Sequence, residues 1–182
     1  MVLVGLMGSG KSTVGRLLAD LWQVPFLDLD EAIENKSGMS IVELFDREGE
    51  AGFREREAEA TRALSPEEPV VVAVGGGWMA RPELRDSWTG VIRVWLRVSP
   101  REAANRLAAS ETPRPLLTNH SSEEVLKDLL AQRLPSYHLS EYTVDTSGRT
   151  AAEVAKRIAV LFEQTEGRAS EGTNDPEFSM ES

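Results

Sequence analysis

Five apolar, β-prone runs punctuate the chain: VLV at 2–4, VPFLDL at 24–29, VVVAV at 70–74, VIRVWL at 91–96 and YTVDT at 142–146. Most are continuous rather than alternating, the pattern of strands buried on both faces. Helix-period stretches follow each run. Strands alternating with helices predict a parallel sheet with right-handed crossovers, an open α/β fold. Ser40 followed by Glu43 forms a capping-box pattern that starts a helix. Gly49 and Gly52 interrupt that helix before FREREAEATRAL. Residues 110–122, SETPRPLLTNHSS, hold two prolines and many hydroxyl side chains, which predicts a loop long enough to act as a lid. No internal repeat is visible.

Within FLDLDEAIE, 26–34, Asp28 and Asp30 stand two apart. An extended backbone there would put both carboxylates on one side and Leu29 in the core. Two carboxylates so close repel each other, so the pair predicts a cation or a proton that it serves.

Length and composition narrow the classes. The 182 residues suit one domain with a full core. A composition of 41% hydrophobic and 27% charged residues is that of a soluble globular protein. With no cysteine, disulfides and thiolate metal sites are excluded. No apolar run reaches the ~18 residues of a membrane span, and MVLVGLMGSGKS lacks the pattern of a signal peptide. A cytoplasmic protein is therefore expected, and the two N-x-[ST] matches, at Asn35 and Asn119, carry no glycan there. The net charge of −10 argues against a nucleic-acid surface. Residues 163–182 hold six acids and one base, half of that charge, without periodicity. One domain over 1–162 followed by a disordered acidic tail is the expectation.

GLMGSGKST, 5–13, satisfies G-x-x-x-x-G-K-[ST] between an apolar strand and a helical pattern. Glycines let successive backbone N–H groups turn toward one anion, and the helix N-terminus adds its positive end. Lys11 is expected to reach the β- and γ-phosphates, and the Ser12 hydroxyl to ligate Mg²⁺. This leaves a kinase, a GTPase switch or an ATPase motor. NKSG at 35–38 has Gly38 where a guanine-reading aspartate would stand, and motors generally need a larger core. A kinase of a small molecule or nucleotide remains.

P-loop proteins usually place an acid at the end of a second strand to organise Mg²⁺. Here VVVAV ends instead in Gly75-Gly76-Gly77. Three glycines after a buried strand imply close approach of a ligand to backbone. The acid must come from elsewhere, and Asp28 and Asp30 are the candidates.

Together these features resemble the shikimate kinase family, small kinases of the nucleoside-monophosphate-kinase-like P-loop fold. The likeness covers most of residues 1–162. It rests on the GxxGSGKST loop, FxDxD, GxxxFRxxE (Gly49 to Glu57), GGG after its strand, RPLL at 114–117, RxPxY (Arg133 to Tyr137), and VDT with Arg149 beyond it. The resemblance implies a three-layer fold with a five-stranded parallel sheet, a substrate-binding segment near 30–60 and a lid near 110–122. It implies ATP-dependent phosphorylation of the 3-hydroxyl of shikimate, on the route to chorismate and aromatic amino acids, by a monomer with Mg²⁺. Gly8, Ser9, Gly10, Lys11, Ser12 and Thr13 would hold the phosphates. Asp30 would bind shikimate hydroxyls and could accept the proton, and Asp28 would serve Mg²⁺ through water. Arg54 and Arg133 would grip the substrate carboxylate, with Gly75, Gly76 and Gly77 beside it. Arg114 would reach the transferring phosphate, and Arg106 and Arg149 would lie near adenine. Lys11, Asp30 and Arg114 are the expected catalytic residues.

The residue chemistry agrees. A small carboxylated polyol needs a guanidinium fork for its carboxylate and a carboxylate for its hydroxyls. Arg54 lies among Glu55, Glu57 and Glu59, where a surface ion pair is the plain alternative. Arg114 stands between Pro113 and Pro115 on a stiffened segment. Trp78 follows the glycines where a small residue is usual, and could pack under the substrate or narrow the site. His120 and His138 are expected to be structural or surface groups. The rival readings are a gluconate- or nucleoside-monophosphate-type kinase, and a non-catalytic ATP-binding regulator on the same fold.

Overall fold

A computed structural model describes residues 1–64, 68–109 and 122–171, with the side chains of 122 and 165–171 excepted. The predicted lid and its Arg114 therefore lie outside the described residues, as do 172–182. Five strands form one parallel sheet: β1 (Val2–Val4), β2 (Phe26–Asp28), β3 (Val71–Ala73), β4 (Arg93–Arg97) and β5 (Tyr142–Asp145), in the order β2-β3-β1-β4-β5. Four of the five fall within the predicted runs, and β4 passes the end of its run by one residue, at Arg97. Val2 pairs with Val72 on one side and Arg93 on the other, so β1 is the central strand. Parallel pairing brings every strand's carboxyl end to one rim, where α/β sheets bind ligands.

The period-2 alternation of β1 divides the core in two. Leu3 faces α1 (Lys11–Trp22) and α7 (Ala151–Glu171), through Val14, Leu18, Val154 and Ile158. Val2 and Val4 face the other layer: α2 (Leu29–Ser37), α3 (Ile41–Ala63), α5 (Pro100–Ala108) and α6 (Ser122–Tyr137). A 3₁₀ turn (Trp78–Ala80) and the short α4 (Pro82–Arg85) complete that side. Ser40 caps α3 with the reciprocal Glu43 bond that its spacing predicted. At Gly49 (φ 70°, ψ −178°) the helix kinks, a conformation open to glycine, whereas Gly52 stays helical. Helix α6 continues through Pro135 to Tyr137, and α7 runs nine residues past the expected boundary at 162.

Two local expectations are corrected. Strand β2 stops at Asp28, which becomes the N-cap of α2: its Oδ1 accepts from the Asp30 N–H at 3.0 Å. Asp30 thus stands in a first helical turn, not on the same face of a strand as Asp28. Leu29 is buried, as expected. Trp78 neither lines nor narrows the cleft. It is fully buried, donates to Thr61 Oγ1 at 3.0 Å and packs on Trp88 with centroids 5.1 Å apart.

Candidate active site

The strand rim opens into a cleft of ≈ 930 Å³. Its nucleotide end begins where β1 gives way to the glycine loop. Gly5, Gly8 and Gly10 all take positive φ, of 144°, 78° and 90°. A Cβ at Gly8 would fall 2.8 Å from the Ala103 carbonyl, so the loop lies tight against α5. Gly10 in the left-handed region starts α1, leaving the first N–H groups of that helix for an anion. Lys11 Nζ donates to the Gly5 and Leu6 carbonyls at 3.0 and 3.1 Å, within the loop's own concavity. Ser9 is buried behind the loop and does not line the cleft.

Arg106 braces this end. Its guanidinium donates to Gly8 O at 3.3 Å and to Thr146 O at 2.7 Å, joining the glycine loop to the end of β5. Arg149 is exposed, bonded to the carbonyls of Asp145 and Ser147, and is not part of the cleft wall.

Between the two ends stand the acids. Ser12 Oγ donates to Asp28 Oδ2 at 2.5 Å, which joins the first turn of α1 to the end of β2. This hydroxyl–carboxylate pair at the foot of the phosphate loop is an oxygen-only donor set suited to a hard divalent cation that keeps its waters. Among the described residues no cluster of three or more His, Cys, Asp or Glu could hold a metal alone. Asp30, half-buried, lines the cleft two residues further on, in the first turn of α2.

The acceptor end is built on the glycine triplet. A Cβ at Gly75 would lie 2.6 Å from Glu57 Oε1 and 3.5 Å from Asp30 Oδ1. One at Gly76 would lie 2.7 Å from Arg133 Nη1, and one at Gly77 2.9 Å from Arg54 Nη2. The missing side chains are what admit two guanidinium groups and a carboxylate to one floor. Arg133, only 8% exposed, reaches it from α6. Tyr137 one turn on donates its hydroxyl to Gly76 O at 2.7 Å. Burial pushes the Tyr137 phenol up to about 12, against the pull of the Arg133 guanidinium, so it stays a donor.

Arg54 does make the i,i+3 ion pair with Glu57, at 2.9 Å, but not at a surface: Glu57 is fully buried. Burial lowers the affinity of Arg54 for its proton, but Glu57 and Glu50 outweigh this and hold the guanidinium above its ordinary range. A buried carboxylate is tolerable only when paired. Glu57 therefore anchors Arg54 under the site, a part for which FRxxE offered spacing but no sign of burial. Tyr137 was likewise visible in RxPxY only as a motif letter.

The structure thus gathers Gly8, Gly10, Lys11, Ser12, Thr13, Asp28, Asp30, Arg54, Gly75, Gly76, Gly77, Arg106 and Arg133 into one cleft wall. A phosphate loop facing a carboxylate and two arginines defines a small P-loop kinase. Comparison with known proteins places the chain within that class. The profile described as Shikimate kinase matches residues 7–162. The shikimate kinase of Halorhodospira halophila is 46% identical over 159 residues, 86% of this chain and 89% of its own length. That of Thermodesulfovibrio yellowstonii is 40% identical over 166 residues, covering 90% and 95%. A solved shikimate kinase from Acinetobacter baumannii, in complex with shikimate, superposes with a TM-score of 0.85 at 37% identity, over 90% of this chain and 92% of that one. The chain belongs to the shikimate kinase family.

Proposed function

We propose that this chain transfers the γ-phosphoryl group of ATP to the 3-hydroxyl of shikimate, giving shikimate 3-phosphate and ADP on the route to chorismate. The observation that carries this is the acceptor floor: Arg133 and Arg54 stand over Gly76 and Gly77, with Asp30 near Gly75, opposite the phosphate loop. Two fixed guanidinium groups suit one small carboxylate, and Asp30 suits ring hydroxyls. The Acinetobacter relative is described as in complex with shikimate, and its likeness extends over 90% of this chain.

In the reaction so read, the backbone N–H groups of Gly8 to Thr13 bind the phosphates and Lys11 swings from the loop carbonyls to the β- and γ-oxygens. Ser12 and Asp28 would hold Mg²⁺, which when bound neutralises phosphate charge. Arg54 and Arg133 fix the acceptor carboxylate, so that Asp30 orients the attacking hydroxyl and takes its proton. Arg114, outside the described residues, brings positive charge to the transferring group from the lid at 110–122. Arg106 serves the nucleotide base, with Arg149 at its rim. The unit is the domain 1–162 with its acceptor segment near 30–60, acting as a cytoplasmic monomer. No helix among the described residues is long and apolar enough to cross a membrane.

A coupled ADP-release assay under Mg-ATP, run with shikimate, gluconate and nucleoside monophosphates, tests the reading. Shikimate-dependent release alone supports it. Release with another acceptor assigns the cleft to that substrate, and ATP binding without release assigns the chain to a regulator.

A further inference from the structure

We infer that Arg81 is a positioning residue for the acceptor: it holds Arg54 from behind and shares its buried counter-ion. The inference rests on the reading of Arg54 as a grip for the substrate carboxylate. Arg81 Nη1 donates to the main-chain carbonyl of Arg54 at 2.7 Å, across 27 residues of sequence. The same nitrogen lies 3.6 Å from Glu57 Oε2, the oxygen that accepts from Arg54 Nη1 at 2.9 Å. Arg81 Nε is held in turn by Glu83 Oε1 at 2.7 Å. So Arg81 reaches Arg54 by two routes, its backbone and the buried carboxylate with which it pairs.

Arg54 carries two carboxylates of its own, Glu57 at 2.9 Å and Glu50 at 3.2 Å, and lines the cleft. Arg81 places a second cation 3.6 Å from the buried Glu57, so that carboxylate is not balanced by Arg54 alone. The backbone supports the same conclusion. Arg81 closes the 3₁₀ turn that starts on Gly77, the residue whose missing Cβ makes room for Arg54. One short segment supplies both the space for the guanidinium and the brace that aims it.

The test is steady-state kinetics of Arg81→Met, which keeps the aliphatic stem, and Arg81→Lys, with Arg54→Lys and the Arg54→Lys/Arg81→Met double variant. Arg81→Met is expected to raise the KM for shikimate about tenfold, with kcat and the KM for ATP within about twofold. Arg81→Lys should recover part of the loss. In the double variant the loss should match that of Arg54→Lys, because both act through one contact. An acceptor bearing a carboxamide in place of the carboxylate should lose little on going from wild type to Arg81→Met. An unchanged shikimate KM in folded Arg81→Met, a parallel rise in the KM for ATP, or penalties that multiply in the double variant would each overturn the inference. So would failure of both Arg81 variants to fold, which assigns the residue to stability. If Arg54→Lys itself leaves the shikimate KM unchanged, the reading of Arg54 falls and takes the inference with it. If Arg54→Lys raises it and Arg81→Met does not, only the inference falls.

Discussion

The nucleotide end of the cleft is made of main chain, and the acceptor end of buried charge. Gly5 to Thr13 form one contiguous stretch that carries the glycine turns and the uncapped start of α1. The acceptor floor draws Asp30 from α2, Arg54 from α3, Gly76 from the loop after β3 and Arg133 from α6. A triphosphate is common to many reactions, and a backbone cradle binds it whatever the neighbouring side chains. A particular polyol acid is not common, and only side chains in fixed relative positions can select it. The cost of that selectivity is the burial of Glu57 and Arg133.

If the two ends are separable, variants should damage one and spare the other. The largest effect is expected at the nucleotide end. Lys11→Ala, and Arg114→Ala in the proposed lid, should each lower kcat by about 10²–10³-fold, as loss of a positioned transition-state donor does. Shikimate affinity measured by calorimetry without ATP should stay within about twofold of wild type in both. Near-normal turnover by Arg114→Ala would remove it from the reaction. Next comes the acceptor floor. A Cβ on Gly76 collides with Arg133 Nη1 at 2.7 Å and meets Gly5 O at 3.3 Å. Gly76→Ala should therefore raise the shikimate KM by roughly ten- to a hundredfold, the kinetic size of an overpacking strain of about 1–3 kcal/mol. A matching rise in the KM for ATP would show that Gly5 transmits the strain and that the ends are coupled.

The last effect is on stability at alkaline pH and leaves turnover near neutral pH untouched. The Tyr137 phenol has its folded pKa raised to about 12 from 10.0, so its neutral form is favoured by folding. That contribution is complete below pH 10 and fades as pH climbs to 12. Linkage makes the loss about 2–3 kcal/mol over that window, read from urea unfolding. Tyr137→Phe should flatten the slope. An equally steep slope in the variant would place the alkaline transition elsewhere.

Much of this was legible in the sequence, for definite reasons. Continuous apolar runs fit strands covered on both faces; β1 and β3 are buried throughout, while β2 and β5, at the sheet edges, are only partly so. A glycine-rich loop between strand and helix states its chemistry in contiguous residues. The Asp28–Asp30 pair was harder, because a strand end and a helix start look alike over three residues. Glu31, three after Asp28, was the usable sign of an N-cap. Trp78 could have packed under the substrate, narrowed the site or joined the core; it is core, and its indole finds Thr61, 17 residues away in sequence. Arg81 carried no local mark at all. Its part depends on α3 meeting the segment that follows the glycine triplet, a contact that no spacing encodes.

The central place of β1 also sets a timetable. Val2 finds its partners at Val72 and Arg93. On a ribosome adding about 5–20 residues each second, the glycine loop waits several seconds for both neighbours of its strand to be made. Until then the GKST segment has a helix to start and no sheet to hang from. Fragments that stop short of β4 should emerge without a nucleotide pocket, however complete their P-loop motif. The signature that is easiest to read in the gene is among the last to become a site in the growing chain.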